Sequence, residues 1–179
     1  MKYLVVILLI TSTIFSCATA NRIIMIKDSS GDSKGFKLVQ NLKASSCAKT
    51  GKVTLNQFFN TEVTYQFKEM NKAMPLVSLD FHTTKAIRSE ELDSVMVLNL
   101  DNEKISVVAN KNKSYNIPEN LWLSISNSKD ISYSLSIGIT GIVVKLNPEE
   151  KTKVKTFFNR AMKRRLEIIP LLPPGKARW

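Results

Sequence analysis

His82 is the chain's one histidine, and with Ser78 and Asp80 it places the three side-chain types of an acyl-transfer relay in one short stretch. The spacing argues against that chemistry. Val77, Leu79 and Phe81 alternate with Ser78, Asp80 and His82, which is the period of a strand with one apolar face. Side chains two apart on a strand project in parallel, roughly 6.5–7 Å apart at Cα, whereas a proton relay needs convergent groups about 3 Å apart. The row is therefore expected to be a polar strand face. Asp80 and His82 would need a third ligand to hold a metal, and the sequence names none. Glu90, Glu91 and Asp93 are neighbouring carboxylates in a turn, a pattern of solvated charge rather than of an acid/base pair. There is no phosphate-binding glycine loop, no CxxC pair and no nucleophile-elbow serine. The sequence thus predicts a non-enzymatic protein with no catalytic residue, no metal and no cofactor.

The other reactive side chains are two cysteines, and their surroundings differ. Cys47 lies in Ala44-Ser45-Ser46-Cys47-Ala48, a small polar stretch expected to be a loop carrying an incidental free thiol. Cys17 closes Ile14-Phe15-Ser16-Cys17, directly after the apolar run Leu4 to Ile10 and the positive residue Lys2. This stretch resembles the lipobox of bacterial lipoproteins. The resemblance implies that Cys17 becomes lipid-modified and the new N-terminus, so that a lipid anchor makes the membrane a partner. Ala18 stands where an Asp resembles an inner-membrane retention signal, so the implied address is the outer membrane. A second cut is available after Ala18-Thr19-Ala20, which has the small-x-small form of an ordinary signal-peptidase site and would release a soluble periplasmic or secreted protein. A membrane span is the weakest reading: the apolar run is shorter than the ~20 residues a span needs, and Thr11, Ser12 and Thr13 interrupt it. Cutting before Cys17 leaves 163 residues and cutting after Ala20 leaves 159. Either length suits one domain with a sizeable core. Cys47 then has no partner for a disulfide.

These residues must be positioned by a strand-rich chain. Strands are expected at Arg22 to Ile26, Phe36 to Gln40, Lys52 to Gln57, Glu62 to Phe67, Leu76 to His82, Val95 to Leu100, Lys104 to Ala109, Leu121 to Ser126, Ile131 to Ile137 and Ile139 to Lys145. Two hairpins are expected, through Asp101-Asn102-Glu103 and through Asn127-Ser128-Lys129-Asp130. Ile131, Tyr133, Leu135 and Ile137 share one strand face, opposite three serines. The same logic puts Leu121, Leu123 and Ile125 in the core and Trp122 on the wet face, where it is a candidate ligand or partner contact.

A helix from about 148 to 168 closes the domain. Asn147 is a good N-cap, Pro148 suits the first helical position and Glu150 completes a capping box. Val154, Phe157, Phe158, Ala161, Met162 and Leu166 form an apolar stripe. Lys151, Lys155, Arg160, Lys163, Arg164 and Arg165 are the candidate contacts to an anionic surface. The chain carries a formal charge of +11, and from Lys145 to Trp179 there are 10 basic and 3 acidic residues. Such a segment on an exported protein favours anionic lipid, lipopolysaccharide or acidic glycan. Lysines outnumber arginines 20 to 6, which argues against specific nucleic-acid recognition. No feature identifies a protein partner.

The fold class expected is mainly β, an antiparallel β-sandwich or open barrel with one C-terminal amphipathic α-helix. Residues 1–20 form the export signal, 21–169 a single β-rich domain and 170–179 a Pro-rich basic tail. This plan looks like lipocalin-type barrels, pleckstrin-homology-like barrels and small β-sandwich lipoproteins. The early Gly-x-Trp of lipocalins is absent, which argues against an enclosed apolar ligand site. The leading expectation is a non-enzymatic cell-envelope lipoprotein, a binding or structural module with a basic surface. The alternatives are a soluble carrier of a small apolar ligand and, behind it, an exported hydrolase.

Overall fold

A computed structural model describes residues 22–27, 30–31, 33–50, 53–69, 75–83, 93–137 and 140–168. The export signal with Cys17, the Glu90-Glu91 pair and the 170–179 tail lie outside the described residues. The strands are β1 (Ile23–Lys27), β2 (Ser33–Thr50), β3 (Val53–Lys68), β4 (Leu76–Thr83), β5 (Val95–Leu100), β6 (Glu103–Val108), β7 (Tyr115–Ile117), β8 (Ile131–Ile137) and β9 (Thr140–Lys145). A short helix, α1 (Trp122–Asn127), precedes β8, and a long one, α2 (Pro148–Ile168), follows β9. Strand order is β6-β5-β8-β9-β2-β3-β4-β7, with β1 on β2. All these pairings are antiparallel. A bridge between Ala109 and Tyr115 brings the two ends of the order together. The result is the mainly β architecture expected, in its barrel form and nearly closed.

β2 and β3 form the longest hairpin, paired from Gly35↔Lys68 to Thr50↔Val53. On its opposite edge β2 takes β1 at 33–38 and β9 at 44–48. Phe36, Leu38, Gln40, Leu42, Ala44 and Ser46 all point inward and are buried, an unbroken period of two. This overturns the loop expected around Cys47, which sits on β2 with an exposed side chain. Small residues at 44 and 46 hide the alternation in the sequence. The strands expected at Lys52 to Gln57 and Glu62 to Phe67 are likewise one strand, β3.

Gly35 lies where β1, β2 and β3 meet. Its φ of +146° is a backbone conformation rare for L side chains, and a Cβ there would collide with the Phe67 carbonyl oxygen. Gly35→Ala is expected to lower the melting temperature by roughly 5 °C or more, since strain of this kind costs about 1–3 kcal/mol before the clash is counted. Thermal unfolding followed by circular dichroism reads this directly, and an unchanged midpoint would show that the junction relaxes freely.

The interior is aromatic. Phe36 stacks on Phe67 at 4.8 Å between ring centroids. Phe157 of α2 meets Phe36 edge-on at 5.1 Å and Tyr65 at 5.9 Å. Phe67 meets Trp122 at 6.2 Å. The amphipathic helix therefore covers the barrel with the stripe read from the sequence, through Val154, Phe157, Phe158 and Ala161. Its cap forms as the residue types require: the Glu150 N–H donates to Asn147 Oδ1 at 2.9 Å and the Asn147 N–H to Glu150 Oε2 at 2.6 Å. The stripe ends differently. Leu166 is 66% exposed and Arg165 turns inward instead.

Residues 121–126 are the clearest correction. They form α1 and the turn before it, not a strand, and Asn127 to Asp130 connect helix to strand rather than two strands. Alternating Leu121, Leu123 and Ile125 suggested a period of two. The face used is instead Trp122, Ile125 and Ser126, spaced for a helix, and Leu123 is left 59% exposed. The Asp101 turn does join β5 to β6, with Asp101 at φ +51°. Its carboxylate accepts the N–H groups of Lys129 and Asp130 at 2.9 and 2.8 Å, tying two connections together.

Candidate functional site: a basic groove beside the C-terminal helix

The exposed face of α2 carries the basic residues, and packing divides them. Lys151 reaches Asp130 at 2.9 Å across the start of β8. That hydrogen bond and charge hold the Asp130 carboxyl below the usual carboxylate range. Lys155 is half-buried and Lys163 exposed. Arg165 is 8% exposed and forms an ion pair with Glu119, on the turn before α1. It locks α2 against that turn and does not face an outside anion, which corrects its expected role. Trp122 is corrected in the same way: it is 1% exposed and its indole N–H donates to the Ile117 carbonyl at 3.0 Å.

Arg164 and Arg160 meet in one groove. Arg164 grips Glu69, just beyond β3, through Nε at 2.6 Å and Nη2 at 3.1 Å, and reaches Glu167 with Nη1 at 3.0 Å. These hydrogen bonds push the guanidinium further above its ordinary range, so it stays charged. Arg160 lies over the ring of Phe36, 5.0 Å from its centroid, with Nη2 on the thioether sulfur of Met25 at 2.8 Å. Together with Lys163 these side chains line a half-open groove of about 360 Å³. Its walls carry three cations and two carboxylates. Both carboxylates contact Arg164, so Arg160 and Lys163 supply the surplus positive charge. The three helix cations are visible in the sequence but Met25, Phe36 and Glu69 are not, since nothing local links residues 95 or more apart.

The polar row on β4 is not assembled into a relay. His82 is exposed and stands opposite Glu62 in the register, while Asp80 stands opposite Thr64 and accepts a hydrogen bond from the Ser114 hydroxyl. Val77, Leu79 and Phe81 fill the core as their alternation requires. Among the described residues no group of three His, Cys, Asp or Glu side chains is arranged to hold a metal ion.

A second polar cluster lies inside the barrel. The hydroxyls of Tyr65 and Tyr133 are 2.9 Å apart, and Gln40, fully buried, donates from Nε2 to the Glu150 carbonyl at 3.2 Å. Gln40 Oε1 has no partner among the described residues. Burial drives the Tyr65 and Tyr133 phenols above the usual tyrosine range. Burial and the nearby Asp93 charge push Tyr115 up to about 12. An unfolded tyrosine ionises near 10. The folded state therefore holds protons that the unfolded chain releases, and this stabilisation is intact below pH ~10 and lost as the pH rises toward about 12. Phenolate absorbance is expected to appear together with loss of the circular dichroism signal in that window. Smooth titration near pH ~10 with the fold intact would contradict it.

No family model, no curated protein and no solved structure was found to match the chain.

Proposed function

We propose that this is a non-enzymatic cell-envelope lipoprotein: a β-rich binding or structural module, anchored through Cys17 to the bacterial outer membrane and presenting a basic surface. The observation that carries the reading is Ile14-Phe15-Ser16-Cys17 placed directly after the apolar run of Leu4 to Ile10. A cysteine at that point, after a positive residue and an apolar run, has a chemical use as an acylated N-terminus. The groove supports the second half of the reading, since Arg160 and Lys163 bring unneutralised charge to one side of the barrel. Anionic lipid, lipopolysaccharide or acidic glycan is the partner class such charge attracts, with an attraction that weakens as salt rises. The carrier alternative draws less support, because Phe36, Tyr65, Phe67, Trp122 and Phe157 pack together in the interior and the groove is half-open and lined by five charged side chains.

Metabolic labelling with a palmitate analogue tests the anchor. Label is expected in the wild type and absent from Cys17→Ala. No incorporation into the wild type, or equal incorporation in the two, would sink the anchored form.

A further inference from the structure

The groove beside α2 has a charge balance and a size that select a ligand class. Its two carboxylates are engaged by one guanidinium, with Glu69 held in a two-pronged contact and Glu167 on the remaining nitrogen. The lining as a whole carries one positive charge in excess. Arg160 supplies a guanidinium whose Cζ lies 5.0 Å from the centre of the Phe36 ring and which donates to the thioether of Met25, a weak acceptor. Its other donors have no carboxylate among the described residues. Lys163, three residues on, is exposed beside it. The pair offers a planar fork and a point charge, each of which binds phosphate oxygens. Met25 supplies an apolar, partly exposed wall. At about 360 Å³ the groove falls in the size range of small-molecule sites and exceeds what a lone inorganic ion fills.

We infer that this groove binds a phosphodiester monoanion, either the head group of an anionic phospholipid or the free glycerophosphodiester of the same chemistry. One negative charge matches the single positive excess. A phosphate monoester, at about −1.5 to −2 near neutral pH, overshoots it and would face Glu69 and Glu167 with charge left over. Arg160 and Lys163 hold the phosphate, Arg164 is the fixed wall that keeps both carboxylates occupied, and where the ligand carries acyl chains their first atoms lie along Met25. The inference rests on the proposed reading that the basic face of α2 meets an anionic partner, and it does not depend on acylation of Cys17.

Calorimetric titration of the full chain, held in a neutral amphipol, tests it with four probes: dihexanoyl phosphatidylglycerol below its micelle concentration, glycerophosphoglycerol, dihexanoyl phosphatidylcholine and inorganic phosphate. The two phosphatidylglycerol-type probes are expected to bind, with Arg160→Gln and Lys163→Gln each weakening them about tenfold or more, and with Lys104→Gln, far along the chain on β6, leaving them unchanged. A large advantage of the acylated probe assigns the groove to membrane lipid, and equal affinity assigns it to a soluble phosphodiester; both support the inference. Absence of binding, affinity unchanged in both groove variants, or inorganic phosphate or phosphatidylcholine binding as tightly would overturn it. Lys163 is exposed, so Lys163→Gln keeps the test open should Arg160→Gln perturb folding. A negative result here leaves the Cys17 labelling experiment untouched, and the reverse also holds.

Discussion

Phe157→Ala is expected to destabilise the domain by about 3–5 kcal/mol, the range for deleting a buried aromatic ring whose surroundings cannot collapse into the space. Phe157 is fully buried and touches ring systems on three sides: Phe36 at 5.1 Å, Phe158 at 5.5 Å and Tyr65 at 5.9 Å. Phe36 and Tyr65 belong to long paired strands, β2 and β3, whose backbones are held on both edges over that stretch. They cannot move inward to fill a cavity. The helix cannot tilt to compensate either, because the capping box fixes its start and the Arg165–Glu119 pair fixes its far end. Phe58→Ala is the matched control. Phe58 lies on the same β2–β3 hairpin but is 84% exposed, so its loss is expected to change stability by less than about 0.5 kcal/mol. Urea unfolding of the two variants reads both values. A small effect at Phe157 would mean that α2 lies on the barrel without sealing it.

Arg165→Ala is the second large effect, expected to cost about 2–4 kcal/mol. Removing one partner of a fully buried pair costs about 3–5 kcal/mol, because the other charge is stranded. Glu119 keeps 31% of its side-chain exposure, so water recovers part of its solvation and the cost falls below that range. The pair joins α2 to the turn before α1, so its loss also loosens the seat of Trp122. Removing both charges with apolar groups of similar size, in Arg165→Met with Glu119→Leu, is expected to recover most of the loss, since no stranded charge remains. A double-mutant cycle in urea gives the coupling. Additive single losses would show that Arg165 acts by packing its stem and not through Glu119. Lys151 and Asp130 provide the contrast: the same charge types meet at 2.9 Å, but Asp130 is open to solvent, and Lys151→Ala is expected to leave the urea midpoint unchanged within error.

The two large effects also mark where sequence patterns stop being informative. β8 was legible because Ile131, Tyr133 and Leu135 face the core while Ser132, Ser134 and Ser136 do not, and a strand with one wet face writes its period into its composition. α2 was legible because cap, N1 proline and apolar stripe all agree. α1 was not. Six residues carry fewer than two helical turns, and with leucines at 121 and 123 the alternation imitated a strand; only the tertiary site, where Trp122 fits beside Phe67 with its N–H on Ile117, decides for the helix. β7, three residues long, is too short to show any period. The groove was half legible. A run of helix cations is visible in any sequence, but which are neutralised depends on Glu69 and Glu119, brought in from distant turns. Sequence alone ranked Arg165 with Arg160, and packing separates them: one closes the core and the other borders the groove.

Intact mass of the protein purified from cell envelopes tests the central claim most directly. The account predicts a chain that begins at Cys17 and carries the added mass of its lipid. A mass matching an unmodified chain that begins at Asn21 would contradict it.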